Sequence, residues 1–95
     1  MAAYVIVDIE VTDPVRYEEY KQLAAPTIAA FGGRYLVRGG AVTVLEGGRR
    51  PGRLVVLEFP SAARAREWWG SDPYAAAKAI RQASARTEMI LVEGI

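Results

Sequence analysis

The chain has 95 residues, 52% of them hydrophobic, and 12 Lys and Arg against 11 Asp and Glu give a net charge of +1. That length predicts one domain over residues 1–95, which as a monomer hides only roughly 64% of the surface of its unfolded chain, so this much apolar surface points to burial against a partner. Without a single Cys or His, disulfides, thiolate nucleophiles and the usual ligands of zinc, copper and haem iron are excluded.

Residues 3–11, AYVIVDIEV, alternate and are β-branched, which predicts a strand. Thr12-Asp13-Pro14 opens a helix, Asp13 capping the orphan amides and Pro14 occupying the first helical position, where its missing N–H does no harm. Tyr17, Tyr20, Ala24, Thr27, Ile28 and Phe31 share one face of it, Pro26 on the far side is expected to bend it, and Gly32-Gly33 stops it. RYLVR at 34–38 resumes strand character, breaks at Gly39-Gly40 in what reads as a bulge or bend, and continues as AVTVLE to Glu46. A turn over 47–52 leads into the strand RLVVLEF at 53–59. Ser61 caps a second helix that Gly70 ends, Ser71-Asp72-Pro73 restarts helix through about Ala85, and TEMILVE at 87–93 closes the chain as a strand.

This order, strand-helix-strand-strand-helix-strand, predicts a ferredoxin-like βαββαβ fold of the α+β class. Its four antiparallel strands run in the order 4-1-3-2, with the helices on one face. The echo of VIVDI at 5–9 in VVLEF at 55–59 fits two related halves. Val5, Val7, Ile9 and Val11 form one apolar stripe, and Val55, Leu57 and Phe59 another; both belong beneath the helices. The other face carries Tyr4, Ile6, Asp8 and Glu10 with Leu54, Val56 and Glu58, apolar in the middle and acidic at the ends, and a second copy of the chain is expected to cover it. Arg34, Leu36 and Arg38 share one parity, which sets arginines near those acids.

Other partners are not indicated. The densest basic cluster, Arg49, Arg50 and Arg53, reads as a solvated hairpin tip, and no basic stripe with aromatic stacking partners suggests nucleic acid. No run approaches membrane length, and the first residues do not resemble a secretion signal, so a cytoplasmic location is expected. No Asp/Glu cluster suggests a hard metal ion, and no cofactor is expected.

GGRYLVRGG at 32–40, VLEG at 44–47, VVLEFPS at 55–61, WW-G-SDPY at 68–74 and VEG at 92–94 together resemble the domain of unknown function 1330 family, within the dimeric α/β-barrel superfamily. The resemblance spans nearly the whole chain. It implies a ferredoxin-like subunit and a dimer packed sheet to sheet, and it carries over no catalytic residue. Relatives in that superfamily include cofactor-free monooxygenases, haem-degrading monooxygenases and lactone isomerases; the haem enzymes need an axial histidine that this chain lacks.

Five residues stand out as candidate ligand-binding groups: Arg38, Glu58, Trp68, Tyr74 and Arg81, with Glu58 and Tyr74 the candidates for acid–base work. Glu58 interrupts an apolar run, where a carboxylate is either paired with an arginine or has a raised pKa. Arg38, Arg34 and Arg81 are its candidate partners. Tyr74 and Arg81 lie seven apart on one helix face, and Arg81 is placed either to clamp a carboxylate or to bridge to Glu58 or Glu93. Arg38 beside two glycines suits an anion or a solvated bulge. Trp68 and Trp69, adjacent on a helix, point about 100° apart, so one belongs inside and one at a rim; with Tyr17, Tyr20 and Tyr35 they line a pocket or simply pack. Together with these residues, the resemblance implies a small homodimeric α/β-barrel protein that binds a small organic molecule, with a cofactor-independent monooxygenase or isomerase, or a ligand-free structural or regulatory dimer, as the alternatives. Whether it is an enzyme is left open by the sequence.

Overall fold

The computed structural model describes residues 1–95. Strand β1 (Ala3–Val11) leads into helix α1 (Pro14–Ala30), strands β2 (Arg34–Arg38) and β3 (Arg53–Phe59), helices α2 (Ala62–Trp69) and α3 (Asp72–Ser84), and strand β4 (Ala85–Glu93). The antiparallel sheet has the order β2-β3-β1-β4, the predicted order read from the other edge. β1 pairs with β3 from Ala3 opposite Phe59 to Ile9 opposite Arg53, and with β4 from Ala3 opposite Glu93 to Val11 opposite Ala85.

Local chemistry sets the helix ends. Asp13 Oδ1 accepts from the Arg16 amide at 3.3 Å and Ser61 Oγ from the Arg64 amide at 3.1 Å. Ser71 Oγ accepts from the Tyr74 amide at 3.3 Å and donates to the Trp68 carbonyl at 2.7 Å, so one hydroxyl joins two helices across Gly70. α1 continues through Pro26. At its end Gly33 lies so near β3 that a Cβ there would sit 2.7 Å from the Phe59 ring, a close approach only glycine permits. The Ser84 carbonyl accepts from the Thr12 and Asp13 amides at 2.8 and 2.9 Å, fixing the start of α1 against the end of α3.

The apolar stripes lie where alternation puts them. Val5, Val7, Ile9, Val55, Leu57 and Phe59 are buried under the helices against Tyr17, Tyr20, Ala24 and Ile28 of α1, each large side chain contributing about 1.5–3 kcal/mol. The opposite face has no layer over it. Ile6, Leu54 and Val56 are half-buried by their neighbours alone, while Ile90 and Val92 are 60% and 44% exposed. No helix is long and apolar enough to cross a membrane.

The connection between β2 and β3 departs from expectation. AVTVLE forms no strand; β2 ends at Arg38, and Val42, Val44 and Leu45 are exposed. Gly39, at φ +71°, turns the chain out while its amide still donates to the Leu54 carbonyl at 2.8 Å. The bulge is not at the glycine pair but between Tyr35 and Val37. The extra residue reverses the alternation beyond it. Arg34 therefore stays on the open face opposite Glu58, whereas Arg38 falls opposite Val55, on the helix side, and does not join Arg34 near the acids. Arg53 also differs from the reading of a solvated tip: it begins β3 on the helix-side parity, and its Nε is buried.

Candidate functional site

Four residues of α3, Tyr74, Ala77, Arg81 and Ser84, recur at three- and four-residue spacing and are buried. The Ser71 cap fixes where that face starts, so Tyr74 and Arg81 enter the interior two turns apart. Trp68, from the last turn of α2, lies between them and the sheet. Its ring centroid is 4.2 Å from that of Tyr74 and 5.3 Å from that of Phe59, and its Nε1 donates to Thr27 Oγ1 at 3.1 Å. Trp69, the adjacent residue, is at the rim as the helical geometry requires, with Lys78 Nζ 3.8 Å above its ring.

Tyr74, Tyr20 and Arg81 form a buried polar row. The two phenol oxygens are 3.0 Å apart, and Arg81 Nε donates to Tyr74 Oη at 3.3 Å. Arg81 Nη1 donates to Thr87 Oγ1 on β4. Both acceptors are neutral. Arg81 is 4% exposed and takes part in none of the ion pairs of the chain. The bridge from Arg81 to Glu58 or Glu93 is thus absent, since Glu58 points from the other face of the sheet and Glu93 ends β4 in solvent.

Beside this row, between α2, α3 and the edge strand β4, is a groove of about 540 Å³. Val5, Met89 and Leu91 form its floor, Ala65 and Trp68 one wall, and Arg81, Gln82 and Thr87 its polar end. An apolar cleft of that volume with a few convergent polar groups is the usual form of a small-molecule site. Elsewhere the helix–sheet interior is filled: only about 20 Å³ is left among Tyr17, Tyr20 and Tyr35. No group of three or more carboxylates gathers as a metal ion would require.

Burial keeps the phenols of Tyr17, Tyr20 and Tyr35 protonated. It raises the pKa of Tyr20 far above 10, reinforced by Tyr74; it raises Tyr17, with the nearby Arg53 guanidinium opposing, and Tyr35, with Arg38 opposing. At neutral pH these groups are hydrogen-bond donors and acceptors, not bases.

Of the five candidate residues, then, Trp68, Tyr74 and Arg81 come together. Arg38 stands on β2, the opposite edge of the sheet from β4, its guanidinium 4.4 Å above the Tyr35 ring. Glu58 is on the open face, where its Oε1 accepts from Arg34 Nε at 2.7 Å. Thr87 and Gln82 escaped the sequence reading. Thr87 had a signal, as the one hydroxyl in the inward stripe Ala85, Thr87, Met89, Leu91; Gln82, beside Arg81 on a helix, had none.

The model of a domain of unknown function (DUF1330) matches residues 2–95. The chain belongs to that family. DUF1330 membership agrees with the motifs at 32–40, 55–61 and 68–74 and assigns no activity. A comparison with the curated proteins finds no match. Among solved structures, a protein of unknown function from Rhodopseudomonas palustris, RPA0582, is similar at a TM-score of 0.81 and 18% identity, over 99% of this chain and 82% of its own. A dimeric ferredoxin-like protein of unknown function from Jannaschia sp. CCS1 is similar at a TM-score of 0.67 and 14% identity, over 99% of this chain and all of its own. SnoaB, a cofactor-independent oxygenase from Streptomyces nogalater, is similar at a TM-score of 0.64 and 14% identity, over 99% and 93%. At such identities the likeness is one of fold, and the DUF1330 chain has the ferredoxin-like fold of these neighbours.

Proposed function

We propose that the protein binds a small organic acid in the groove between α2, α3 and β4, with Arg81 receiving the carboxylate, and that it works as a homodimer closed over the open sheet face. The observation that carries the first part is the Arg81 guanidinium, buried without a carboxylate partner at the polar end of an apolar cleft. A cation that has lost most of its water and is held by two hydroxyls is costly to the fold. An incoming carboxylate offsets that cost, and the guanidinium geometry suits it. Nη2 has no partner within the chain and is not closed off from solvent, which leaves it open toward the groove. Met89, Leu91 and Trp68 provide apolar contact for the rest of the ligand. The apolar centre of the open face, with Ile90 and Val92 exposed on it, supports the second part, as does the dimeric state of the Jannaschia neighbour.

The fluorescence of Trp68 and Trp69 reports on the groove directly. Benzoate is expected to change it saturably in the wild-type protein, and to bind about 10- to 100-fold more weakly to Arg81→Met. Benzyl alcohol, which lacks the charge, is expected to be indifferent to that substitution. Equal affinity of benzoate for both proteins would contradict the assignment of Arg81.

A second reading, a cofactor-independent oxygenase or isomerase, is favoured by one feature. The Arg81–Tyr74–Tyr20 row ends on the groove, where a guanidinium stabilises negative charge developing on a substrate oxygen. SnoaB supports it at the level of fold alone. Dioxygen uptake on adding an electron-rich phenol tests it, and no uptake leaves binding as the function. The open groove argues against a dimer without any ligand.

A further inference from the structure

We propose a second anion site on the far edge of the helix–sheet interior, between Arg53 and Arg38, sized for one anionic atom: a halide ion or a single carboxylate oxygen. Arg53 shares the inward stripe of β3 with Val55, Leu57 and Phe59. Its Nε is the one buried side-chain polar atom of the chain without a hydrogen-bond partner. The bulge in β2 turns Arg38 to the same side, over the Tyr35 ring. Neither arginine takes part in an ion pair.

Half-buried Arg53 and solvent-exposed Arg38 line the cavity of about 20 Å³, with Tyr17, Tyr35 and Lys21 and without any carboxylate. Lys21 is already committed to Glu18 at 2.7 Å. Gly39, at φ +71°, completes the seat: a Cβ there would collide with the Arg53 guanidinium, so the bare backbone lets the cation lie where it does. A cavity of roughly 10–15 Å³ or more holds one water-sized particle, so a halide or one oxygen fits and sulfate does not. A water molecule would satisfy Nε but leave the Arg53 guanidinium without a counter-charge; an anion meets both requirements. Arg81 does not line this cavity, and Arg38 and Arg53 do not line the groove; the two spaces share only Trp68 and Met89, so their cations are distinct.

The ³⁵Cl resonance of chloride tests the site. Wild-type protein is expected to broaden the line, formate to compete and narrow it, and Arg53→Met to lose that excess width, while Arg81→Met retains it. Thermal unfolding gives a second reading, with ionic strength held constant by sulfate. At low halide Arg53→Met is expected to melt above wild type. The gap should close by about 5–10 °C as chloride rises from tenfold below to tenfold above its dissociation constant. Should Arg53→Met not fold, the width retained by Arg81→Met and its removal by formate still decide the matter. No excess width in wild-type protein, width lost with Arg81 rather than Arg53, or parallel halide dependence of the two melting curves would overturn the proposal.

Discussion

Glu58 interrupts the apolar run of β3, and a carboxylate in that setting needs a cation. Arg34 supplies it from β2 at 2.7 Å, but the pair is not buried: Arg34 is 69% exposed at its side chain and Glu58 23%. Screening by water limits such a bridge to less than about 1 kcal/mol. Glu58→Gln is therefore expected to lower the thermal stability only slightly, not by the several kcal/mol of a buried pair, and thermal unfolding of the variant checks this. Need for a partner was legible in the run LVVLEF itself. Which partner was not, because the choice between Arg34 and Arg38 turned on a bulge at Leu36 that no residue type announces. Arg81 shows the reverse case. Its spacing from Tyr74 placed the two on one helix face from sequence alone; that the face is the inner one, and that Arg81 lacks a carboxylate partner, emerged only when every acid had a position.

The helices and strands were readable where caps, glycines and alternation agreed, as at Asp13-Pro14, Ser61 and Ser71. They misled at 41–46, where AVTVLE has the alternation of a strand but no neighbour to pair with: its expected partner β3 begins only at Arg53, and Arg38 already lies opposite Val55. Strand propensity describes a fit to a ladder, and a ladder needs a second strand. What the elements jointly build is a layer of phenols, Tyr17 and Tyr20 from α1 and Tyr35 from β2, all with pKa values raised by burial. The unfolded chain releases these protons near pH 10, whereas the folded chain holds them. Stability is thus fully present below about pH 10 and falls as pH rises toward the folded-state values, by up to about 1.4 kcal/mol per pH unit for each tyrosine. Melting temperatures measured from about pH 8 to about pH 11 are expected to drop steeply above pH 10 in the wild type. Tyr20→Phe, which removes one of the three groups, is expected to flatten that drop while lowering stability at neutral pH by about 1 kcal/mol through loss of the bond to Tyr74.

At the scale of the whole molecule, one face of the sheet carries the helices and the groove, and the other is bare. Ile6, Leu54 and Val56 sit at its centre, with Ile90 and Val92 beside them. Val56→Asp is expected to yield monomer or aggregate by light scattering, since the charge would fall in the middle of the proposed contact; a stable, soluble dimer would remove that face as the interface. In the proposed dimer Arg81, Gln82 and Thr87 of the groove lie away from the contact, and Ile90 is the one open-face residue that also lines the groove. Native mass spectrometry in the presence of benzoate examines assembly and binding at once. The expected result is a dimer that takes up as many as two molecules of benzoate, and an Arg81→Met dimer that takes up none under the same conditions. Benzoate retained equally by Arg81→Met would contradict it.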